Sequence, residues 1–195
     1  MLKEGNFRFI NNLPEPRNSF SDIEATKEGQ QPFAAIVSCM DSRVPNEIVF
    51  NLGIGDAFSV RIAGNVITNS VLGSLEFAAA VVGSKIIVVM GHSACGAIKG
   101  ACDEVELGNL TSVLARIRPA VGMVKNVPGD RNSKNAPFVE EVATLNARYG
   151  AQQIAAQSRV IAELVKDKKV GIVPAMYDVA TGKIRFLEDD AIGLS

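Results

Sequence analysis

Short apolar runs alternate along this chain with longer stretches of helical spacing, and each run ends at glycine, proline or a small polar residue. Residues 33–38, Phe33-Ala34-Ala35-Ile36-Val37-Ser38, are almost wholly apolar and too short for a helix, the signature of a strand buried on both faces. Residues 57–62, 85–90 and 170–177 read the same way; Pro174, inside the last run, predicts a bulge or an unpaired N–H there. Residues 183–187 alternate, as an edge strand should, after a turn over 178–182. Between the strands, residues 70–82 are apolar on nearly every side and predict a buried helix. Residues 110–117 predict a helix stopped near Pro119, and 121–135 a loop with a turn at Pro128-Gly129-Asp130. Residues 138–156 and 160–166 predict two more helices, with Ser158 as a cap between them. Strands alternating with helices predict an α/β fold with a mainly parallel sheet covered on both faces.

Residues 1–30 are polar and carry Pro14 and Pro16. They predict a short helix near residues 2–11 and then an irregular segment, together an arm with little core of its own. Phe7, Phe9, Ile10 and Phe20 would be stranded in water unless they lie on the domain or on a second subunit. A homo-oligomer is therefore expected.

With 195 residues, 47% hydrophobic and 21% charged, the chain fits one compact domain, 1–195, with 1–30 as the arm. Twenty basic against twenty-one acidic residues, with no basic cluster, argue against nucleic acid as a partner. The apolar runs are too short to cross a membrane, and the N-terminus has no apolar signal core. A cytoplasmic location is the expectation. Three cysteines do not describe a disulfide framework and are candidates for metal binding or packing; Cys102, without a matching partner, reads as core.

The chemistry gathers at Gly91-His92-Ser93-Ala94-Cys95-Gly96, where the only histidine is followed three residues later by a cysteine. The segment lies just after the strand at 85–90, in a strand-to-helix turn, where open α/β sheets place their ligands. Imidazole and thiolate suit zinc, but two ligands do not hold a catalytic ion. If 33–38 and 85–90 are neighbouring parallel strands, Cys39 meets His92 and Cys95 at one sheet edge. Three protein ligands then leave one tetrahedral position free, the catalytic arrangement. Asp41 and Arg43, on the Cys39 turn, suit a bidentate pair that keeps Asp41 ionised. Asp41 could then accept a proton from zinc-bound water, or bind zinc itself and shut the site.

Cys39-x-Asp41-x-Arg43 with His92-x-x-Cys95 resembles the signature of the β-class carbonic anhydrases. The resemblance extends to Leu2-Lys3-Glu4-Gly5-Asn6-x-x-Phe9, Gly55-Asp56-Ala57-Phe58-x-Val60-Arg61, Gly73-Ser74-Leu75-Glu76-Phe77-Ala78 and Tyr177-Asp178-x-x-x-Gly182. It implies a mainly parallel central sheet with an antiparallel edge strand, helices on both faces and an extended helical N-terminal arm. It further implies a zinc lyase that reversibly hydrates CO2 to bicarbonate through a zinc hydroxide, and a dimer or tetramer. By position, Cys39, His92 and Cys95 would bind Zn²⁺, and Asp41 with Arg43 would form the catalytic dyad.

Gln30 matches a glutamine that reaches substrate across the dimer interface, and Phe58 an aromatic wall of the CO2 pocket. Phe77 stands where plant-like members have tyrosine, and Gly96 completes the substrate-contacting set. Arg61 and Tyr177 match two of three residues by which a second branch holds regulatory bicarbonate, but its tryptophan is Ile36 here, so the open, plant-like type is expected. The expected CO2 cleft lies beside Phe58 and Phe77. The rival readings are a hydrolase of carbonyl sulfide or carbon disulfide on the same scaffold, and a Cys/His metal-sensing or redox module.

Overall fold

The computed structural model describes residues 1–194. Five strands, β1 (Ala34–Ser38), β2 (Ala57–Arg61), β3 (Ile86–His92), β4 (Gly171–Tyr177) and β5 (Ile184–Phe186), form one sheet in the order β2-β1-β3-β4-β5. The first four are parallel, and β5 pairs antiparallel with β4. β1 and β3 are neighbours, with Ser38 opposite Met90, so the segments following both strands emerge at one edge.

Alternate residues of the central strands bury on opposite faces. Ile36, Val88, Met90 and Ala175 meet Leu2 of α1 (Leu2–Ile10) and Val49 and Phe50 at α3 (Asn46–Val49). Ala35, Val37, Ile87 and Val89 meet α4 (Asn69–Glu76), α8 (Ala136–Gln157) and α9 (Arg159–Lys166). A third cluster joins α5 (Gly96–Cys102), α6 (Leu110–Ala115) and α7 (Arg118–Met123) to α8 beside the sheet edge. The predicted α/β architecture, with helices on both faces and an antiparallel edge, is the observed one.

α8 runs back along β3 in very close contact. A Cβ on Gly150 would lie 3.0 Å from Val89 Cγ1, and one on Gly91 would lie 3.1 Å from the Ala143 carbonyl oxygen. Ser158 caps α9 as expected, accepting from the Ile161 N–H at 3.1 Å, and also donates to Glu76. Pro174 stands in regular register opposite Val89, without a bulge. Its carbonyl accepts from Leu187 N–H just beyond the end of β5, so its missing donor falls where β5 no longer pairs.

Four local expectations are corrected. Residues 19–26, expected to be irregular, form α2 (Ser19–Thr26), because the Asn18 side chain accepts from the N–H groups of Phe20 and Ser21. Pro119 opens α7 rather than stopping its predecessor, since a proline in the first turn loses no intrahelical bond. The helix predicted over 70–82 is α4 continued by a wider π-type stretch, Phe77–Val82. It is not buried all round: Phe77 is 49% and Val81 72% exposed.

Candidate metal centre

Cys39 follows β1, His92 ends β3 and Cys95 caps the start of α5. Between the last two, Ala94 has φ +55°, a left-handed conformation that costs an L-residue free energy and folds the turn so that His92 and Cys95 address one point. The ligand atoms of Cys39, His92 and Cys95 lie within 4.8 Å of one another, and all three residues are buried. The two sulfurs are 3.9 Å apart.

The surrounding groups prepare these atoms for a cation. His92 Nδ1 lies 2.9 Å from the Ser93 carbonyl oxygen. Donation to that oxygen places the ring proton on Nδ1 and leaves the Nε2 lone pair free. Nε2 is buried and has no hydrogen-bond partner among the described residues, a costly state in the absence of a ligand. The Gly64 N–H points at Cys39 Sγ from 3.3 Å. Gly64 has φ +65°, and a Cβ there would come within 2.6 Å of Ile117 Cδ1, so the close approach requires glycine. Asn146 Nδ2 donates to the Gly64 carbonyl at 2.8 Å and holds the peptide that follows.

In this tight pair Cys39 is the easier thiol to ionise. The Cys95 thiol beside it, then the His92, Asp41 and Gly64 contacts, hold it below the ordinary value against the opposing effect of burial. The Cys39 contact and burial push Cys95 up. Two buried thiols, which give thiolate ligands on losing their protons to a metal, and one free imidazole nitrogen fit a soft-tolerant divalent cation such as Zn²⁺.

Asp41 stands at the rim of the cluster. Arg43 donates to it from Nε at 2.9 Å and from Nη2 at 2.7 Å, and the Arg43 backbone N–H adds a third bond at 3.0 Å. Arg43 thereby holds the Asp41 carboxyl well below the usual carboxylate range. Asp41 Oδ2 remains 3.9 Å from His92 Nε2, so Asp41 is paired with Arg43 beside the ligands. Arg61, the last residue of β2, donates to the carbonyls of Cys39 at 3.3 Å and Asp41 at 2.6 Å, bracing the turn that carries both.

Gly96 adjoins the cluster as the exposed first residue of α5. The other three substrate candidates lie elsewhere in the chain. Phe58 stands opposite Ala35, four residues before Cys39, roughly 13 Å down the strand direction. It packs edge-on against Phe77 with ring centroids 6.1 Å apart. The expected CO2 cleft beside Phe58 and Phe77 is therefore not built onto this chain's own cluster. Gln30, exposed ahead of β1, lines a groove with Gly29, Gln31 and Ile54, at the opposite end of that strand from Cys39.

Arg61's bracing role, the Gly64 N–H, the Asn146 link and the Ser93 carbonyl were not read from the sequence. The dipeptide Gly64-Asn65 does signal an unusual backbone.

A parallel α/β sheet with two thiols, an imidazole and a clamped carboxylate at the carboxyl edge is the framework of a metal-dependent enzyme. A family model described as carbonic anhydrase matches residues 34–184. Carbonic anhydrase 2 of Mycobacterium tuberculosis is 36% identical over 188 residues, covering 93% of this chain and 87% of that one. The crystal structure of the β-carbonic anhydrase CafA of Aspergillus fumigatus superposes with a TM-score of 0.73 at 26% identity, covering 85% of this chain and 80% of that one. A structure described as one of two tetrameric β-carbonic anhydrases from Sordaria macrospora gives 0.70 at 24% identity, covering 83% of each chain. The chain belongs to the carbonic anhydrase family, in its β class. The rival hydrolase and redox readings are not favoured by these relationships.

Proposed function

We propose that this protein reversibly hydrates CO2 to bicarbonate and a proton, with Zn²⁺ held by Cys39, His92 and Cys95. The observation that carries the reading is the convergence of three buried ligand atoms within 4.8 Å beside the Asp41–Arg43 pair. When bound, the metal supplies Lewis acidity that ionises water near neutral pH.

The chain's own residues supply orientation and charge. The Ser93 carbonyl fixes the His92 tautomer, and Arg61 braces the Cys39–Asp41 turn. Arg43 leaves Asp41 an ionised acceptor aimed at the cluster's rim, where it orients a nucleophile by accepting its hydrogen bond. Asp41 stays paired with Arg43, and Ile36 is fully buried in the position where the bicarbonate-regulated branch has tryptophan. Both support the open type. Gly96 borders substrate, and Gln30, Phe58 and Phe77 reach it only from a second subunit.

A homo-oligomer, dimer or tetramer, is accordingly part of the proposal. Phe7 is 60% and Phe20 83% exposed on the arm, large apolar surfaces that a second copy would cover, and the Sordaria proteins are described as tetrameric. No helix among the described residues is long and apolar enough to cross a membrane. A single domain in the cytoplasm, where the three free thiols stay reduced, completes the reading.

Stopped-flow CO2 hydration on zinc-replete protein, run beside sulfide release from carbonyl sulfide, tests it. Fast hydration supports the proposal. Sulfide release with negligible hydration overturns it.

A further inference from the structure

Every bicarbonate formed leaves a proton to be removed, a requirement that rests on the function proposed above. The single histidine is committed: its Nδ1 faces the Ser93 carbonyl and its Nε2 belongs to the ligand cluster. Asp41 is clamped through both oxygens by Arg43, which opposes its protonation. The proton must therefore leave by a route other than these two side chains.

A cleft of about 700 Å³ opens at the carboxyl edge of β3 and β4, lined among others by Ser93, Glu140, Asp178, Lys183 and Arg185. The helix packing explains how Glu140 reaches it. α8 runs antiparallel to β3, with Gly150 against Val89, and Ala147 and Ala143 against Gly91. One turn further towards the helix N-terminus, Glu140 reaches the cleft that is also lined by Ser93, the residue after the metal-ligating histidine. Arg185 stands opposite Met176 on β4, and Lys183, just ahead of β5, lines the same cleft.

Asp178 in this cleft is already committed, accepting from the Ala180 N–H at 2.8 Å and the Thr181 hydroxyl at 2.9 Å. The side chains of Glu140, Lys183 and Arg185 have no ion-pair partner among the described residues. One base and two cations thus line the same open cleft, free to act on what enters it.

We propose that Glu140 is the proton relay of this enzyme, taking the hydration proton through the water of the cleft and passing it to an anionic buffer base attracted by Lys183 and Arg185. The carboxylate gains an O–H bond, then gives that proton to hydrogenphosphate, which becomes dihydrogenphosphate. The carboxylate is regenerated and no electrons change hands. Desolvation by the cleft wall, first, and the Asp178 charge push the Glu140 carboxyl above its ordinary value; Glu141 adds to this, while Arg185 pulls it back. The direction is towards the operating pH, where a relay works best. Tyr177 also borders the cleft, its phenol pushed up by burial, so it stays neutral and does not compete.

Glu140→Gln and wild type are compared at equal zinc content by stopped-flow hydration in dilute phosphate. The expected result is a kcat about tenfold lower or worse in the variant, with kcat/KM within about twofold of wild type because interconversion precedes proton removal. Imidazole added at high concentration restores the variant's kcat. Lys183→Ala and Arg185→Ala raise the phosphate concentration needed for half-maximal kcat without changing the imidazole dependence. A ¹³C carboxyl titration of the resting protein, wild type against Glu140→Gln, shows one group titrating above the ordinary glutamate range. An unchanged kcat at low buffer, a loss shared equally by kcat and kcat/KM and not restored by imidazole, or no elevated carboxyl, overturns the relay. Inactivity of the zinc-replete wild type overturns the function reading instead, so the two failures are distinct.

Discussion

Replacing Arg61 by methionine keeps the aliphatic stem and deletes the guanidinium that spans the carbonyls of Cys39 and Asp41 at 3.3 Å and 2.6 Å. A hydrogen bond from a charged donor contributes about 1.5–3 kcal/mol. Arg61 is solvent-exposed and its Cys39 contact is long, so about 0.5 kcal/mol for that bond and about 1.5 kcal/mol for the other is the appropriate scale. The sum, about 2 kcal/mol, corresponds to roughly 30-fold at about 1.4 kcal/mol per decade. Because the lost contacts hold the turn bearing one metal ligand, the loss should appear mainly as weakened metal binding, within the range of about 10–100-fold for outer-shell partners.

Competition against a chelator of known zinc affinity measures it. The Ile62 N–H bond to the Ser38 carbonyl, which keeps β2 on β1, is untouched, so the metal-free Arg61→Met protein should melt only about 5 °C or less below wild type. Zinc affinity within threefold of wild type, or a collapse of the metal-free fold, would refute the bracing role.

Asn6→Ala removes bonds to the carbonyls of Val49 at 2.9 Å and Gly182 at 2.8 Å and from the Ile184 N–H at 2.9 Å; about 3 kcal/mol of stability should go with them, read as a lower urea midpoint at unchanged slope. Cys39→Ala and His92→Ala should lose stoichiometric zinc, whereas Asp41→Asn should retain it and lose about a hundredfold in kcat; metal analysis beside stopped-flow assays separates the two outcomes. The Ala180 N–H, first, and the Thr181 hydroxyl hold the Asp178 carboxyl below its ordinary value. The unfolded chain therefore binds the proton first, so this contribution is full above about pH 4 and is lost as pH falls through the depressed folded value. Urea midpoints should fall less steeply with acid in Asp178→Asn than in wild type.

The strands were legible because parallel strands buried on both faces must be apolar throughout, as 33–38 and 85–90 are. The metal ligands were legible for a related reason: Cys39 and His92 each close such a run, and parallel neighbours bring run ends together. What stayed hidden was set by contacts distant in sequence. Asn6, a polar residue in a polar arm, is buried only because α1 lies over α3 and β5. Gly64 and Asn146 meet across 82 residues, and nothing local to either announces the other. Phe58 and Phe77 were read as walls of a CO2 cleft, whereas in the structure they pack on each other; apolar character does not tell which end of a sheet a side chain serves. α2 escaped notice because it buries no residue and so has no apolar periodicity. Its start is an Asn18 cap, a signal as common in loops as in helices.

X-ray absorption at the zinc edge of the purified, metal-loaded protein tests the central claim most directly. The account predicts one zinc per chain with two sulfur ligands at about 2.3 Å and two nitrogen or oxygen ligands at about 2.0–2.1 Å, the sulfur count falling to one in Cys39→Ser. Substoichiometric zinc in reduced protein, or a shell without two sulfurs, would contradict it.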